Sequence, residues 1–342
     1  MKLKPLIVFD MDGVIIDVSR SYRDTVRQTA RLFFKGARAW EDLPDPLFPL
    51  LDLARVKQRG GLNNDWDLTF TVISLLFPFV KKTGNYEDTN TWVRYKNNIA
   101  LCDVTELAQF LRSTDNPLTS LLKKRQEDTF VMSLYVGDVG SGNIIKQIFQ
   151  EIYLGMNLFK STYDIPAKIY NGKGYINREK LLVDKSKLES LSKNNILAIA
   201  TGRPKIEADY PVDSFGIRQY FDVVLTLDDC IKEEKRILEQ EGKKVSLVKP
   251  NPYMLDAIAE TKKNEASGFY YVGDMPDDMV AASTSSAPYT GVGVLFSAPD
   301  KVILKNELLR AGADYIIEDI EQLKQLITRR EKRNLEWAKE QV

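Results

Sequence analysis

Asp10 and Asp12 stand one residue apart at the end of an apolar run, Leu6-Ile7-Val8-Phe9, and Gly13 follows them. In a strand, residues i and i+2 point to one side, so two carboxylates there repel each other unless the chain bends or a cation sits between them. A hard, oxygen-seeking ion such as Mg2+ removes that conflict. The same Asp-x-Asp-Gly pattern also suits an ordinary turn closing a strand, and the rest of the chain has to separate the two readings. Three further polar groupings bear on it. Thr201-Gly202-Arg203-Pro204 follows the apolar run Ile196–Ala200. A helix starting there, with Pro in its first turn, would offer backbone N–H groups and the Thr201 hydroxyl to an anion; alternatively Thr201 only caps the helix. Lys249 lies between Val248 and Pro250, in a loop stiffened by Pro250 and Pro252, where a lysine would neutralise an anion that the carboxylates repel. Gly273-Asp274-Met275-Pro276-Asp277-Asp278 follows Phe269–Val272 and supplies further acids.

Bringing these groups together takes a sheet. The runs Leu6–Phe9, Ile196–Ala200, Val223–Leu225 and Phe269–Val272 read as buried parallel strands, and three of them end in one of the polar groupings. Open α/β sheets carry their sites at such C-terminal strand edges. Thr290–Phe296 and Asp314–Ile317 add two strands, Leu255, Ile258 and Ala259 mark a helix stripe, and Ile320–Trp337 is a charged amphipathic helix. Between the first strand and the second the pattern is helical. Ser19–Phe34 carries Tyr22, Val26, Ala30 and Phe33 near helical spacing, and the Pro-rich Leu43–Pro49 ends it. Leu68–Val80, Trp92–Leu111 and Asn143–Leu158 predict further helices, and Gly172-Lys173-Gly174 marks the return. The expected fold class is α/β: a Rossmann-like core with a parallel sheet over residues 1–17 and 184–342, and an inserted, mostly helical domain over 18–183.

At 342 residues, 44% hydrophobic and 28% charged, the chain can bury a full core in two domains. Forty-eight basic residues balance 48 acidic ones, which gives no electrostatic case for nucleic acid or an anionic membrane as partner. There is no histidine, so Ser-His-Asp and Cys-His catalysis and His-ligated zinc are excluded. Cys102 and Cys230 lack metal or redox spacing and read as buried thiols. No targeting segment or membrane span is visible, and the expected compartment is the cytoplasm. Gly137–Asn143 reads as a loop ending at an Asn helix cap, since no Gly-Lys-Ser/Thr follows to make it a phosphate loop. Lys81-Lys82 and Lys123-Lys124-Arg125 read as solvated helix faces.

Taken in order, Asp-x-Asp-Gly-Val at 10–14, the hydroxyl of Thr201, Lys249 before Pro, and Gly-Asp-x-x-x-Asp at 273–278 resemble the haloacid dehalogenase superfamily of phosphatases. The helical insert after the first strand is similar to the cap of its subfamily IA. The resemblance implies a Mg2+-dependent hydrolase of small phosphomonoesters. Asp10 would attack phosphorus and Asp12 would serve as acid and base. Thr201, Gly202 N–H and Lys249 would hold the phosphoryl oxygens, with Arg203 a second cation. Asp10, the Asp12 carbonyl and Asp274 would hold the metal. Asp278, or Asp277 in its place, would orient Lys249 or metal-bound water. A phosphomutase would use the same residues, and a non-catalytic binding or scaffolding protein could share the fold, although the intact acids and lysine argue against the latter. Gly60–Thr69, Phe149–Gly155 and Thr201–Pro204 resemble a branch of subfamily IA often encoded beside histidine-biosynthesis genes. Asp65 and Asp67, if they face substrate, would favour a cationic amine such as histidinol phosphate; otherwise they cap the Leu68–Val80 helix.

Overall fold

In the computed structural model, which describes residues 3–58, 64–122, 128–298 and 300–340, ten strands are numbered in chain order. β1 (Lys4–Phe9) is buried from Pro5 onward, as expected of a strand with parallel neighbours on both edges and both faces covered. Those neighbours are β6 (Ile196–Ala200) and β8 (Ala266–Gly273), with Phe9 opposite Ile199 on one side and Val272 on the other. β7 (Val223–Leu225), β9 (Tyr289–Val294) and β10 (Tyr315–Ile317) complete a six-stranded parallel sheet in the order β10-β9-β8-β1-β6-β7. On one face Leu6, Val8, Ala198 and Tyr271 pack with Met254, Leu255 and Ile258 of the helix Tyr253–Lys262. The helix Ile320–Glu340 buries Ile320, Leu323 and Ile327.

The chain divides into two compact units, Met1–Asp17 with Lys180–Val342, and Val18–Glu179. The return to the α/β unit falls a few residues before the expected 184, because β5 (Lys180–Leu181) pairs antiparallel with β2 (Ile16–Asp17).

Within the unit Val18–Glu179, helices Tyr22–Phe33, Asp65–Leu76 and Ile144–Tyr163 carry much of the core. Asn64 and Asn143 cap the latter two, accepting from the N–H groups of Trp66 and Lys146. The expected single helix over Trp92–Leu111 is two, Thr91–Ala100 and Thr105–Ser113. Between them β4 (Cys102–Asp103) pairs with β3 (Lys81–Lys82), and the Asp103 carboxylate accepts from the N–H and hydroxyl of Thr105. Helical periodicity continued across the break and hid it. Gly155 interrupts the helix Ile144–Tyr163 at φ 73°, ψ 166°. A Cβ there would lie 2.2 Å from the Gly174 nitrogen, so the glycines let two backbones touch. Buried Glu151 fixes the same crossing by accepting from the N–H groups of Lys168, Ile169 and Tyr170. Gly60–Asn63 and Lys123-Lys124-Arg125 lie outside the described residues.

Candidate active site

The register places Asp10, Thr201 and Asp274 just beyond the C-terminal ends of three adjacent strands, β1, β6 and β8. Asp10 is buried and its N–H donates to the Val272 carbonyl at 2.8 Å. The turn that follows needs glycine. Gly13 has φ +74°, and a Cβ there would lie 2.0 Å from Asp274 Oδ2. Gly273 has the same function for the neighbouring acid, since its Cβ would lie 2.3 Å from the Asp278 Cβ.

Lys249 joins the acids. Its Nζ donates to Asp10 Oδ1 at 2.7 Å and to Asp278 Oδ1 at 2.8 Å. Asp278 sits in the first turn of the helix Pro276–Thr284, where the Met275 N–H donates to its Oδ2 at 3.0 Å. The Tyr271 hydroxyl donates to Asp278 Oδ1 at 2.8 Å and accepts from Lys249 Nζ at 3.1 Å. Of the two candidate acids in the last motif, the geometry thus brings Asp278 to the lysine, while Asp277 is half-buried outside that contact. Tyr271 is a site residue that motif reading missed. The available signal was a phenol in an apolar strand run read as buried, where it needs a hydrogen-bond partner.

Burial pushes the Asp10 carboxyl up to about 7; Lys249 pulls it down, and Asp278 and Asp12 add to the rise. Burial works to lower the Lys249 ammonium, but Asp10 and Asp278 more than reverse that, so the lysine keeps its proton. Burial, then Asp278, holds the Tyr271 hydroxyl well above its ordinary range.

Carboxylate oxygens of Asp10, Asp274 and Asp278 lie within 4.8 Å of one another. Three acids against one ammonium leave an excess of negative charge, and the donors are all hard oxygens. That set fits Mg2+.

Thr201 is buried, its N–H donating to Leu225 O at 3.0 Å and its Oγ1 accepting from Arg203 N at 3.2 Å. Gly202 borders open space. Pro204 stands at the N-cap, one residue ahead of the helix Lys205–Ser214 instead of inside its first turn. Arg203 reaches Asp12: Nε and Nη2 donate to Asp12 Oδ1 at 2.7 and 2.6 Å. No spacing along the chain hints at this pair, whose members are 191 residues apart. In the other unit, Asp65 accepts from Lys57 Nζ at 3.1 and 3.3 Å, and Asp67 from the Tyr135 hydroxyl at 2.6 Å. The helix beginning there is capped by the Asn64 side chain.

Carboxylates and a lysine thus converge at the C-terminal edge of an all-parallel sheet, where open α/β folds carry their sites. Residues 183–292 match the family model of the haloacid dehalogenase-like hydrolases, a span that contains Thr201, Lys249, Asp274 and Asp278. That segment of the chain is similar to the haloacid dehalogenase-like hydrolases. An X-ray structure of a Northeast Structural Genomics Consortium target shares the fold, with TM-score 0.65 and 23% identity over 95% of this chain and 98% of that one. A phosphatase from Thermococcus thioreducens is similar at TM-score 0.49 and 20% identity over 89% and 99%. An imidazoleglycerol-phosphate dehydratase from Phytophthora nicotianae is 22% identical over 288 residues, 84% of this chain. The chain spans 42% of the length of that curated relative. Among the described residues no helix is long and apolar enough to cross a membrane.

Proposed function

We propose that this protein is a Mg2+-dependent phosphomonoester hydrolase that works through an aspartyl-phosphate on Asp10. The carrying observation is the Lys249 ammonium bridging Asp10 and Asp278 beside Asp274, a positive pivot among acids that suits a site receiving an anion. In this reading Asp10 attacks phosphorus, its oxygen bonding to phosphorus as the ester oxygen departs, and Asp12 gives that oxygen a proton. Asp12 then takes a proton from the water that displaces phosphate from Asp10. Thr201, the Gly202 N–H and Lys249 hold the phosphoryl oxygens, and Asp278 with Tyr271 keeps the lysine in place. Asp10, the Asp12 carbonyl and Asp274, with Asp278 near, would hold Mg2+, which when bound offsets the charge between nucleophile and phosphate.

For the substrate we propose histidinol phosphate. The name of the Phytophthora relative points to an imidazole-bearing phosphate ester, which supports a substrate of that chemistry. Of the two acids expected to select an amine, Asp65 is already paired with the Lys57 ammonium, whereas Asp67 accepts only from the Tyr135 hydroxyl among the contacts described. Asp67 is therefore the selector in this reading. The test is phosphate release from a panel containing histidinol phosphate, sugar phosphates and an aryl phosphate, with Mg2+ and with EDTA. Mg2+-dependent release, greatest from histidinol phosphate and selectively reduced in Asp67→Asn, is expected. Release without metal refutes the Mg2+ assignment, preference for sugar phosphates refutes the substrate, and phosphoryl return to a sugar in place of release would make the protein a mutase. A compartment in the cytoplasm belongs to the same proposal.

A further inference from the structure

We propose that Arg203 is the positioning residue of the proton-transfer step, holding Asp12 by one carboxylate oxygen so that the proton travels through the other. The inference rests on the phosphatase reading above. The Arg203 side chain is 2% exposed, whereas that of Asp12 is 33% exposed. Nε and Nη2 both donate to Asp12 Oδ1, and Nη1 donates to the Glu207 carbonyl at 2.9 Å, one helical turn further on. A planar guanidinium anchored to a helix carbonyl at one corner and grasping an acid along another edge is a rigid reference for that acid. It is also poorly placed to follow a substrate, because leaving Asp12 would strand a buried charge.

The grip has a chemical consequence. An oxygen that accepts two charge-assisted N–H bonds is a poor site for a proton, so the transferable proton is carried on Oδ2. In the first half-reaction the Oδ2–H bond breaks and the proton passes to the ester oxygen, as the phosphorus–ester bond breaks and the Asp10–phosphorus bond forms. In the second, Oδ2 takes the proton of water while the water oxygen bonds to phosphorus and the Asp10–phosphorus bond breaks. Arg203 touches neither the ester nor the water in either step. Its position two residues after Thr201 suggested a second phosphate-binding cation, and the contact with Asp12 assigns it a different task.

The two tasks separate by leaving group. Wild type, Arg203→Met and Arg203→Lys are compared on an alkyl phosphate, whose alkoxide needs a proton to depart, and on p-nitrophenyl phosphate, whose phenolate does not. For Arg203→Met, kcat on the alkyl ester should fall about 100-fold and on the aryl ester less than about fivefold. KM for both, and inhibition by inorganic phosphate, should stay within about twofold. In an Asp12→Asn background Arg203→Met should cost nothing further, as expected for two residues acting as one unit. Equal losses on both esters, a raised KM with weakened phosphate inhibition, or additive losses in the double variant overturns the assignment. Should Arg203→Met fail to fold by circular dichroism, Arg203→Lys carries the same comparison, since it keeps the charge but not the two-donor grip. No turnover of any phosphomonoester by wild type overturns the phosphatase reading and this inference together; turnover without leaving-group selectivity in the variants overturns this inference alone.

Discussion

Replacing Lys249 by Ala removes an ammonium from between two buried carboxylates, Asp10 and Asp278. Breaking a buried pair from one side typically costs about 3–5 kcal/mol. Proton uptake offsets part of that cost. The Asp10 carboxyl already titrates at about 7 with the lysine present, chiefly through burial, and without Lys249 it must rise further. A carboxyl whose folded value lies above its unfolded value binds more protons in the folded protein, so its contribution to stability declines as pH rises toward the folded value. Well below 7, Asp10 is protonated in wild type and variant alike, and the lysine contributes mainly through Asp278. Above 7 the wild type gains an Asp10–Lys249 attraction that the variant lacks. The expected deficit of metal-free Lys249→Ala is therefore about 1–2 kcal/mol near pH 5.5 and about 2.5–3.5 kcal/mol near pH 8. Urea unfolding in EDTA at the two pH values measures it. Mg2+ at the higher pH should recover part of the loss, because an ion that binds only the folded acids stabilises the fold. A deficit equal at both pH values, or larger at the acidic one, would refute the charge states assigned to this pair.

Three further outcomes are expected. Asp10→Asn should abolish turnover of every phosphomonoester while leaving the unfolding midpoint unchanged or raised, because the amide is isosteric, neutral and not nucleophilic; retained turnover above a few per cent would remove the covalent route. Gly13→Ala should push Asp274 away from the acid cluster, weakening Mg2+ dependence at least about tenfold and costing about 1–2 kcal/mol for the left-handed backbone alone. A normal Mg2+ titration of that variant would show that Asp274 is not a ligand. Burial pushes the Cys102 thiol up to about 11 and the Cys230 thiol up to about 12, so the thiolate is scarce near pH 8. A maleimide should label neither in the native protein and both in urea, and rapid native labelling of either would contradict the packing described.

The sheet and the order of its site strands were legible because they are written locally. Runs such as Ile196–Ala200 are short, apolar and β-branched, and each ends in Gly, Asp or Thr within a residue or two. Asp10, Asp274 and Asp278 were legible for the same reason, since each sits at a strand edge or a helix start, and Lys249 was marked by the prolines that follow it. Pairings across the sheet were not. Arg203 with Asp12, and Tyr271 with Lys249, depend on which strands become neighbours, and no spacing along the chain encodes that. The break at Leu101–Val104 was hidden because Trp92–Leu111 keeps helical periodicity on both sides of a two-residue strand. Asp65 and Asp67 had two readings from sequence, and it took Lys57 and Tyr135 to tell the two acids apart.

The position of β1 also governs how the molecule is assembled. It precedes both of its partners in the chain, yet it ends in the interior of the sheet, and those two neighbours follow roughly 190 and roughly 260 residues later. The helical unit Val18–Glu179 can finish its own contacts in that interval, but Leu6–Phe9 has nothing to pair with. Until β6 and then β8 emerge, it is an apolar segment with both edges open to other chains. A nascent or truncated polypeptide ending before Gly273 therefore presents a strand destined for the interior as an adhesive one, and the last acids of the site are delivered by the same segment that closes that edge.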